Sequence, residues 1–179
     1  YGEAYDLARD QLYVGAYTKR LTEFGPLGPG GIYQIDLRSG VTRPWAQVAA
    51  GANPHSIRDA FDLPAASSVG RVGLGDLEMS EANDELFAVN LADRLIYRFS
   101  VPDGALLGAF PHGAAGQWWA EDAVPFGLAY RDGWLYHGVV DTLTSQVAGD
   151  WPAPDRRPLL AFVFRSRADG TDMREVVRL

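Results

Sequence analysis

The chain has 179 residues, 47% of them hydrophobic, which suits one ordinary globular domain and excludes wholesale disorder. Its formal net charge of −7 argues against binding to nucleic acid or to an anionic membrane surface, since both require clustered lysine and arginine. It contains no cysteine, so disulfides, thiolate metal sites and a cysteine nucleophile are excluded. The longest apolar runs are too short to span a bilayer, and we expect no membrane insertion.

Residues 1–48 form the first predicted unit. Four short stretches in it alternate apolar and polar residues, as half-buried strands do, and turn residues separate them. The predicted strands are residues 4–8, 11–15, 32–35 and 41–48. A Gly/Pro-rich excursion, residues 24–31, separates the second strand from the third, and Gly40 supplies the turn before the fourth.

Residues 73–110 form the second unit, in which the pattern is clearest. Asp76 and Glu78 fall on one side of its first strand, whereas Leu77 and Met79 fall on the other, as a pleated chain requires. The predicted strands are residues 74–80, 86–90, 95–101 and 105–110. A Pro-Asp-Gly turn follows the third strand, because Pro presets φ and Gly supplies a positive φ.

Residues 125–179 repeat this template, with predicted strands at residues 126–130, 134–138, 161–164 and 173–179. Repeated four-stranded sheets of this size are the signature of a β-propeller. The sequence therefore predicts one all-β domain, a partial β-propeller of three four-stranded antiparallel blades. Closed propellers have about four to eight blades, so the three would belong to a larger propeller or be completed by a partner. We expect the first, since the sequence starts without Met and ends inside a strand.

The connections in this pattern are very unequal in length. Antiparallel order places alternate connections on opposite rims of the blades, and those on one rim are all short. The long connections, which all fall on the other rim, are residues 18–31, 49–72, 111–125 and 141–158. Long connections tend to carry function, so we predict that this rim is the recognition face. In the second of them we expect a helix of one or two turns that Ser56 caps and Pro64 ends.

Apolar and aromatic side chains in these connections are the predicted partner-binding residues. Phe24 and Leu27 belong to the Gly/Pro-rich excursion, which is either a well-defined recognition loop or a passive linker. Trp118 and Trp119 are adjacent, so we expect one ring to pack between blades and the other to contact a protein or a sugar ring. Trp151 lies in the last long connection.

Four residues are the candidate metal ligands, because oxygen atoms that converge near a propeller axis suit Ca²⁺. They are Asp76, Glu78, Asn90 and Asp141. The alternative is that these side chains line a solvated channel and accept backbone hydrogen bonds. The three histidines are too far apart in sequence to predict a zinc site, and we expect His137, in mid-strand, to be buried.

Residues 75–80 with 85–90, and residues 125–130 with 133–136, carry a resemblance to known repeats. They look like the blades of NHL and SMP-30-like six-bladed propellers. They look still more like the propeller-type repeat domains of large bacterial secreted and surface proteins, whose blade motif residues 91–94 match. The likeness covers most of the chain, and its motifs are structural.

This resemblance implies two different functions. The surface-protein likeness implies binding or assembly without catalytic residues, whereas SMP-30-like lactonases would imply a Ca²⁺-type ion at the axis and hydrolysis of a cyclic ester. Phe126 stands where the lactonase motif usually carries Asn, which removes one metal ligand. The sequence also has no Gly-x-Ser-x-Gly elbow.

We therefore expect a non-catalytic binding or assembly module, secreted, periplasmic or at the cell surface, that contacts a protein or glycan partner. Its open blade flank would abut more of its own chain or another subunit. The alternative is a metal-dependent propeller hydrolase of the SMP-30-like lactonase type.

Overall fold

The computed structural model describes residues 2–56, 58–143 and 159–179. Within these ranges the chain forms three four-stranded antiparallel sheets and one six-residue α-helix, so the all-β prediction is confirmed. The sheets are the blades of a partial β-propeller. Within each sheet, each strand pairs with the next strand along the chain. No helix in the described ranges is long and apolar enough to cross a membrane.

The blades follow one another along the chain. The first contains β1 (Glu3–Asp6), β2 (Gln11–Gly15), β3 (Gly31–Asp36) and β4 (Thr42–Gln47). The second contains β5 (Leu74–Met79), β6 (Glu85–Asn90), β7 (Leu95–Ser100) and β8 (Leu106–Pro111). The third contains β9 (Ala123–Arg131), β10 (Trp134–Asp141), β11 (Ala161–Ser166) and β12 (Arg174–Arg178). The helix α1 (Leu63–Ser68) lies between the first blade and the second.

The first strand of each blade is its inner strand. β5 contacts β1 on one side and β9 on the other, which places the second blade between the other two. We name the face of a blade towards the preceding blade its backward face, and the opposite face its forward face. On the second strands, the backward position is occupied by Leu12, Leu86 and Leu135, and the next, forward position by Tyr13, Phe87 and Tyr136.

The interface between the first and second blades is an apolar core. Tyr13 and Ile32 of the first blade pack against Leu77, Leu86 and Phe99 of the second. All five side chains are buried. Removing each such side chain from water stabilises the fold by about 1.5–3 kcal/mol, so this interface fixes the two sheets against each other.

The interface between the second and third blades repeats this construction. Phe87 and Ile96 lie on the forward face of the second blade, and they share a buried cluster with Leu128 and Leu135 of the third. Phe87 also stacks on Tyr130, with ring centroids 5.5 Å apart. The same template positions therefore form both interfaces.

Two sheet faces have no described sheet against them: the backward face of the first blade and the forward face of the third. We call them the open flanks. Leu12 and Tyr136 are only partly buried there. Their counterparts Leu86, Leu135 and Phe87 are 0% exposed, so the flanks present positions that are fully buried elsewhere in the molecule.

The helix α1 corrects the prediction for the connection between the first and second blades. It begins at Leu63, and Pro64 lies in its first turn, so the expectation that Pro64 ends a helix is wrong. Proline suits that place because N–H groups of the first turn have no partner within the helix. Asp62 precedes the helix in the left-handed conformation, with φ 49°.

Candidate functional site

Antiparallel pairing sends the connections to two opposite rims. One rim carries only turns of a few residues, and we call it the short-turn rim. Three of its turns are closed by a carboxylate at their own start, namely that of Asp6, Asp36 or Asp169. The N–H of Ser39, for example, donates to Asp36 at 2.8 Å and holds the pKa of that carboxyl below its usual value. Neighbouring turns are also bonded to one another, since the N–H of Leu7 donates to Oδ1 of Asn83 at 2.9 Å and Arg38 donates to Asp10 at 3.2 Å.

The opposite rim, which we call the loop-rich rim, carries the connections at residues 16–30, 48–73, 91–94 and 112–122. A further connection starts there at Thr142 and continues into residues 144–158, which lie outside the described residues. Trp151, a predicted partner-binding residue, is among them. The long connections therefore all lie on one face of the propeller.

The first two of these connections are bonded to each other. The Thr18 hydroxyl donates to the carbonyl of Val72 at 2.7 Å, and Tyr17 forms an isolated antiparallel bridge with Gly73. Gly73 has φ 95°, and an added Cβ would lie 2.9 Å from the carbonyl oxygen of Ala16, so this close approach requires glycine. The two connections behave as one surface.

A buried histidine–carboxylate pair closes the outer part of that surface. Nδ1 of His55 lies 2.7 Å from Oδ2 of Asp62, and both side chains are almost wholly buried. The N–H of Leu21 also donates to Asp62, at 2.8 Å. This N–H is the main cause of a lowered Asp62 pKa, and His55 adds to it while burial opposes it. The pair is a clamp between two connections.

The Gly/Pro-rich excursion is well defined. The ring of Phe24 packs on His55, with centroids 5.2 Å apart. Leu27 donates its N–H to the Tyr33 hydroxyl at 2.9 Å and accepts a bond from the Gln47 side chain at 2.6 Å. Both predicted contact residues are half-buried. Leu27 holds the excursion against the first blade, and Phe24 holds it against the connection at residues 48–73.

The two adjacent tryptophans have opposite environments. Trp119 is 2% exposed and stacks on Phe162 of the third blade, with centroids 5.0 Å apart. Trp118 is 73% exposed. The sequence predicted one packed ring and one outward ring without saying which was which. Trp118 is therefore the ring to which the predicted contact with a partner applies.

The remaining connections are joined across the rim as well. The Arg94 guanidinium donates to the carbonyl of Glu121, and the Thr142 hydroxyl donates to the carbonyl of Asp122 at 2.9 Å. These bonds link all the described connections of the second and third blades. The loop-rich rim is thus a continuous, internally bonded surface.

A cavity of about 420 Å³ opens on this rim between the connection at residues 48–73, the turn at residues 91–94 and the inner strand β9. Its walls combine aliphatic and aromatic side chains with two cations and a hydroxyl. These residues are Leu91, Val124, Phe126, Val140, Arg71, Arg94 and Thr142. The sequence analysis missed this site, because its residues come from four separate segments with no spacing that would identify them.

Two buried histidines meet at the connection at residues 112–122: His112 begins it, and His137 of β10 accepts a hydrogen bond from it. His112 and His137 are 5% and 1% exposed, and Nε2 of His137 accepts the N–H of Gly113 at 3.1 Å. Burial lowers the pKa of His112 to about 4, helped by the Arg94 charge. Burial also lowers the pKa of His137 to about 4, helped by His112. His137 is therefore buried, as the sequence predicted, and its low pKa keeps it neutral near pH 7.

Two candidate metal ligands, Asp76 and Glu78, join the second blade to the third. Oδ2 of Asp76 accepts the N–H of Leu128 at 2.9 Å, and Oε1 of Glu78 accepts the N–H of Tyr130 at 3.1 Å. Burial raises the pKa of Glu78, the Tyr130 N–H lowers it, and the Asp76 charge raises it further. These carboxylates project from β5 and accept backbone N–H groups of β9, so they bond the two inner strands to each other.

The other two candidate ligands end strands at the loop-rich rim. Asn90 donates from Nδ2 to the carbonyl of Ala49 at 2.9 Å, and Oδ1 of Asp141 accepts the N–H of Leu143 at 3.0 Å. Across residues 2–56, 58–143 and 159–179, no group of three or more His, Asp or Glu side chains is arranged to hold a metal ion. The Ca²⁺ site stays a prediction.

No protein-family model and no curated protein matches the chain. Among solved structures, the chain is similar to one in a crystal structure of a nidogen/laminin complex, with TM-score 0.52, 15% identity, and coverage of 99% of this chain and 47% of that chain. A luciferin-regenerating enzyme gives a TM-score of 0.49 at 10% identity, with coverage of 97% of this chain and 43% of that chain. A streptogramin B lyase gives a TM-score of 0.46 at 15% identity, with coverage of 98% and 53% respectively. The chain spans about half the length of these structures. The first likeness supports the β-propeller fold, whereas the resemblance to NHL, SMP-30-like and bacterial surface repeats stays a prediction.

Proposed function

We propose that this chain is a non-catalytic binding and assembly module that works outside the cell or at its surface. Its loop-rich rim contacts a protein or glycan partner, and its open flanks are covered by further blades. The observation that carries this proposal is the loop-rich rim itself, in which the long connections share one face and are hydrogen-bonded to one another.

A rim bonded in this way suits recognition, because a preorganised surface loses little conformational entropy when a partner binds. The 73% exposed Trp118 supplies a large apolar side chain of the type that dominates binding energy at interfaces. The turns of the short-turn rim are also bonded to one another, but they are only a few residues long and therefore offer less surface to a partner.

The assembly role rests on the open flanks. Leu12 and Tyr136 are partly exposed at template positions where Leu86 and Phe87 are fully buried by a neighbouring blade. Apolar sheet faces of this kind are stable when another sheet covers them. That sheet belongs to the same chain or to another subunit.

The alternative, a metal-dependent propeller hydrolase, is not favoured by any specific observation. Asp76 and Glu78 already accept backbone N–H groups of the third blade, so an ion would have to compete with those bonds. We therefore rank binding first.

The test compares Trp118→Ala with Arg131→Ala, a change at an exposed side chain on the short-turn rim. Wild type and both variants are immobilised and exposed to the secreted fraction of the source cells and to a glycan panel. We expect Trp118→Ala to weaken saturable binding about tenfold or more, as loss of an interface tryptophan does, and Arg131→Ala to leave it unchanged. Equal binding by all three proteins contradicts the proposal, provided that thermal unfolding shows both variants folded.

A further inference from the structure

The cavity on the loop-rich rim has a charge opposite to that of the chain as a whole. The formal net charge is −7, yet the charged side chains that line the cavity are the two arginines, Arg71 and Arg94. No Asp or Glu is among its described lining residues. A site with this lining attracts an anion.

Arg94 is held in place for such a role. It sits in the left-handed conformation, with φ 64°, and one terminal nitrogen donates to the carbonyl of Glu121. No described residue accepts from its Nε or from its second terminal nitrogen, which together form the fork that a carboxylate binds with two parallel hydrogen bonds. The guanidinium is therefore held in place by one terminal nitrogen, and its Nε and second terminal nitrogen can donate to a ligand.

The neighbouring carboxylate, Asp93, forms no ion pair with this cation among the described residues. Oδ2 of Asp93 accepts the Tyr97 hydroxyl at 2.7 Å, and Oδ1 accepts the N–H of Leu95 at 3.0 Å. Both carboxylate oxygens of Asp93 therefore accept hydrogen bonds within the turn that precedes β7 and within β7 itself. Arg71 lines the same cavity from the connection at residues 48–73, and within the described residues no carboxylate is within salt-bridge distance of it.

Apart from the two arginines and Thr142, the side chains of the wall are apolar. Leu91 and Val124 are buried, and Phe126 and Val140 complete a surface of aliphatic and aromatic carbon. The volume of about 420 Å³ falls within the range of about 300–1,000 Å³ usual for small-molecule sites, which combine an apolar wall with a few polar groups.

We propose that this cavity binds a small-molecule carboxylate with an apolar body. The carboxylate lies between Arg94 and Arg71, and the hydrocarbon part packs on Leu91, Val124 and Phe126. This ligand is independent of the macromolecular partner proposed above, because the arginines and the apolar wall belong to the cavity and Trp118 does not.

The test uses octanoate as the anionic probe and octan-1-ol as its uncharged match. Both are titrated into ¹⁵N-labelled full chain, and backbone amide shifts are followed. We expect saturable shifts at Leu91, Val124 and Val140 with octanoate, and at least about tenfold weaker binding of the alcohol, because a charge-assisted hydrogen bond is lost.

Arg71→Gln is the main variant, since no described hydrogen bond uses the Arg71 side chain, and Arg94→Gln is the second. Each should weaken octanoate binding about tenfold, whereas Arg131→Gln and Trp118→Ala should leave it unchanged. Absence of saturable shifts at the cavity, equal affinity for octanoate and octanol, or full affinity in folded Arg71→Gln would overturn the proposal. Since Trp118→Ala reports only on the macromolecular partner, failure of either proposal is recognisable separately.

Discussion

The interfaces between blades and the open flanks are built from equivalent positions of one repeat, yet they differ in burial. Leu86 and Leu135 are 0% exposed, whereas Leu12 in the same position of the first blade is only partly buried. The side chain is leucine in all three cases. Burial at this position therefore depends on whether a neighbouring blade lies against it.

The interface between the second and third blades should weaken most in acid, because it contains two buried histidines. His112 and His137 are held neutral at the connection at residues 112–122, with pKa about 4, while an unfolded chain protonates histidine near 6.5. The unfolded state binds more protons between these values, so the free energy of unfolding falls as pH decreases from 6.5 to 4. The loss is at most about 3 kcal/mol per histidine.

Urea unfolding at a series of pH values measures this loss. His137→Leu should reduce the slope of stability against pH in that window, although it also lowers stability at pH 7 because the Gly113 N–H loses its acceptor. Val139→Ala, a change at a side chain that is 0% exposed and has no titratable group, serves as the control. An unchanged slope in His137→Leu would show that the buried imidazole does not resist protonation.

The second comparison sets Phe87 against its open-flank counterpart Tyr136. Phe87→Ala empties a site that is 0% exposed and should lower the free energy of unfolding by about 3–5 kcal/mol. Tyr136→Ala, on the open flank, should cost about 1 kcal/mol in the isolated chain. Denaturant titration of both variants measures the two losses in the free energy of unfolding. Equal losses would mean that another copy of the chain covers the flank in solution.

The third comparison uses the two adjacent tryptophans. Trp119→Phe shrinks a ring that stacks on Phe162 and should destabilise the chain by about 1–2 kcal/mol. Trp118→Phe should change stability by less than about 0.5 kcal/mol, because the side chain is 73% exposed. Thermal unfolding of the pair measures this difference, and a larger effect at Trp118 would contradict the assignment of the packed ring.

The smallest expected effect concerns the carboxylates between the second and third blades. Asp76→Ala leaves the Leu128 N–H without its acceptor and should cost about 1–2 kcal/mol. Asp76→Asn keeps an acceptor oxygen and should cost less. If both variants instead abolish binding of Ca²⁺ in calorimetry without changing stability, the metal prediction is favoured over the structural role.

Local patterns account for what the sequence could predict. Period-two alternation and turn residues recur in each blade, so the three sheets follow from short-range chemistry. β9 was predicted to start at Phe126, but it starts at Ala123. Pro125 hid the extension, since proline normally interrupts a strand; β9 tolerates it because it is the inner edge strand, with a register shift beside the proline.

Contacts between distant loops account for what it could not predict. The His55–Asp62 pair, the choice between Trp118 and Trp119, and the cavity between Arg71 and Arg94 all depend on how separate connections meet on the loop-rich rim. Contacts of this kind produce no periodic pattern in the sequence from which they could be predicted. The helix was misplaced for a related reason, because Pro64 signals a stop or a start equally well.

Every sheet of this molecule is made from a single unbroken segment, with its strands in the order in which they are synthesised. Hydrogen-bond partners are therefore near neighbours along the polypeptide, and a sheet needs no distant terminus to complete it. A protease cut between residues 48 and 73 would separate intact sheets instead of splitting one, and gene duplication could lengthen the array by whole sheets without rethreading any strand.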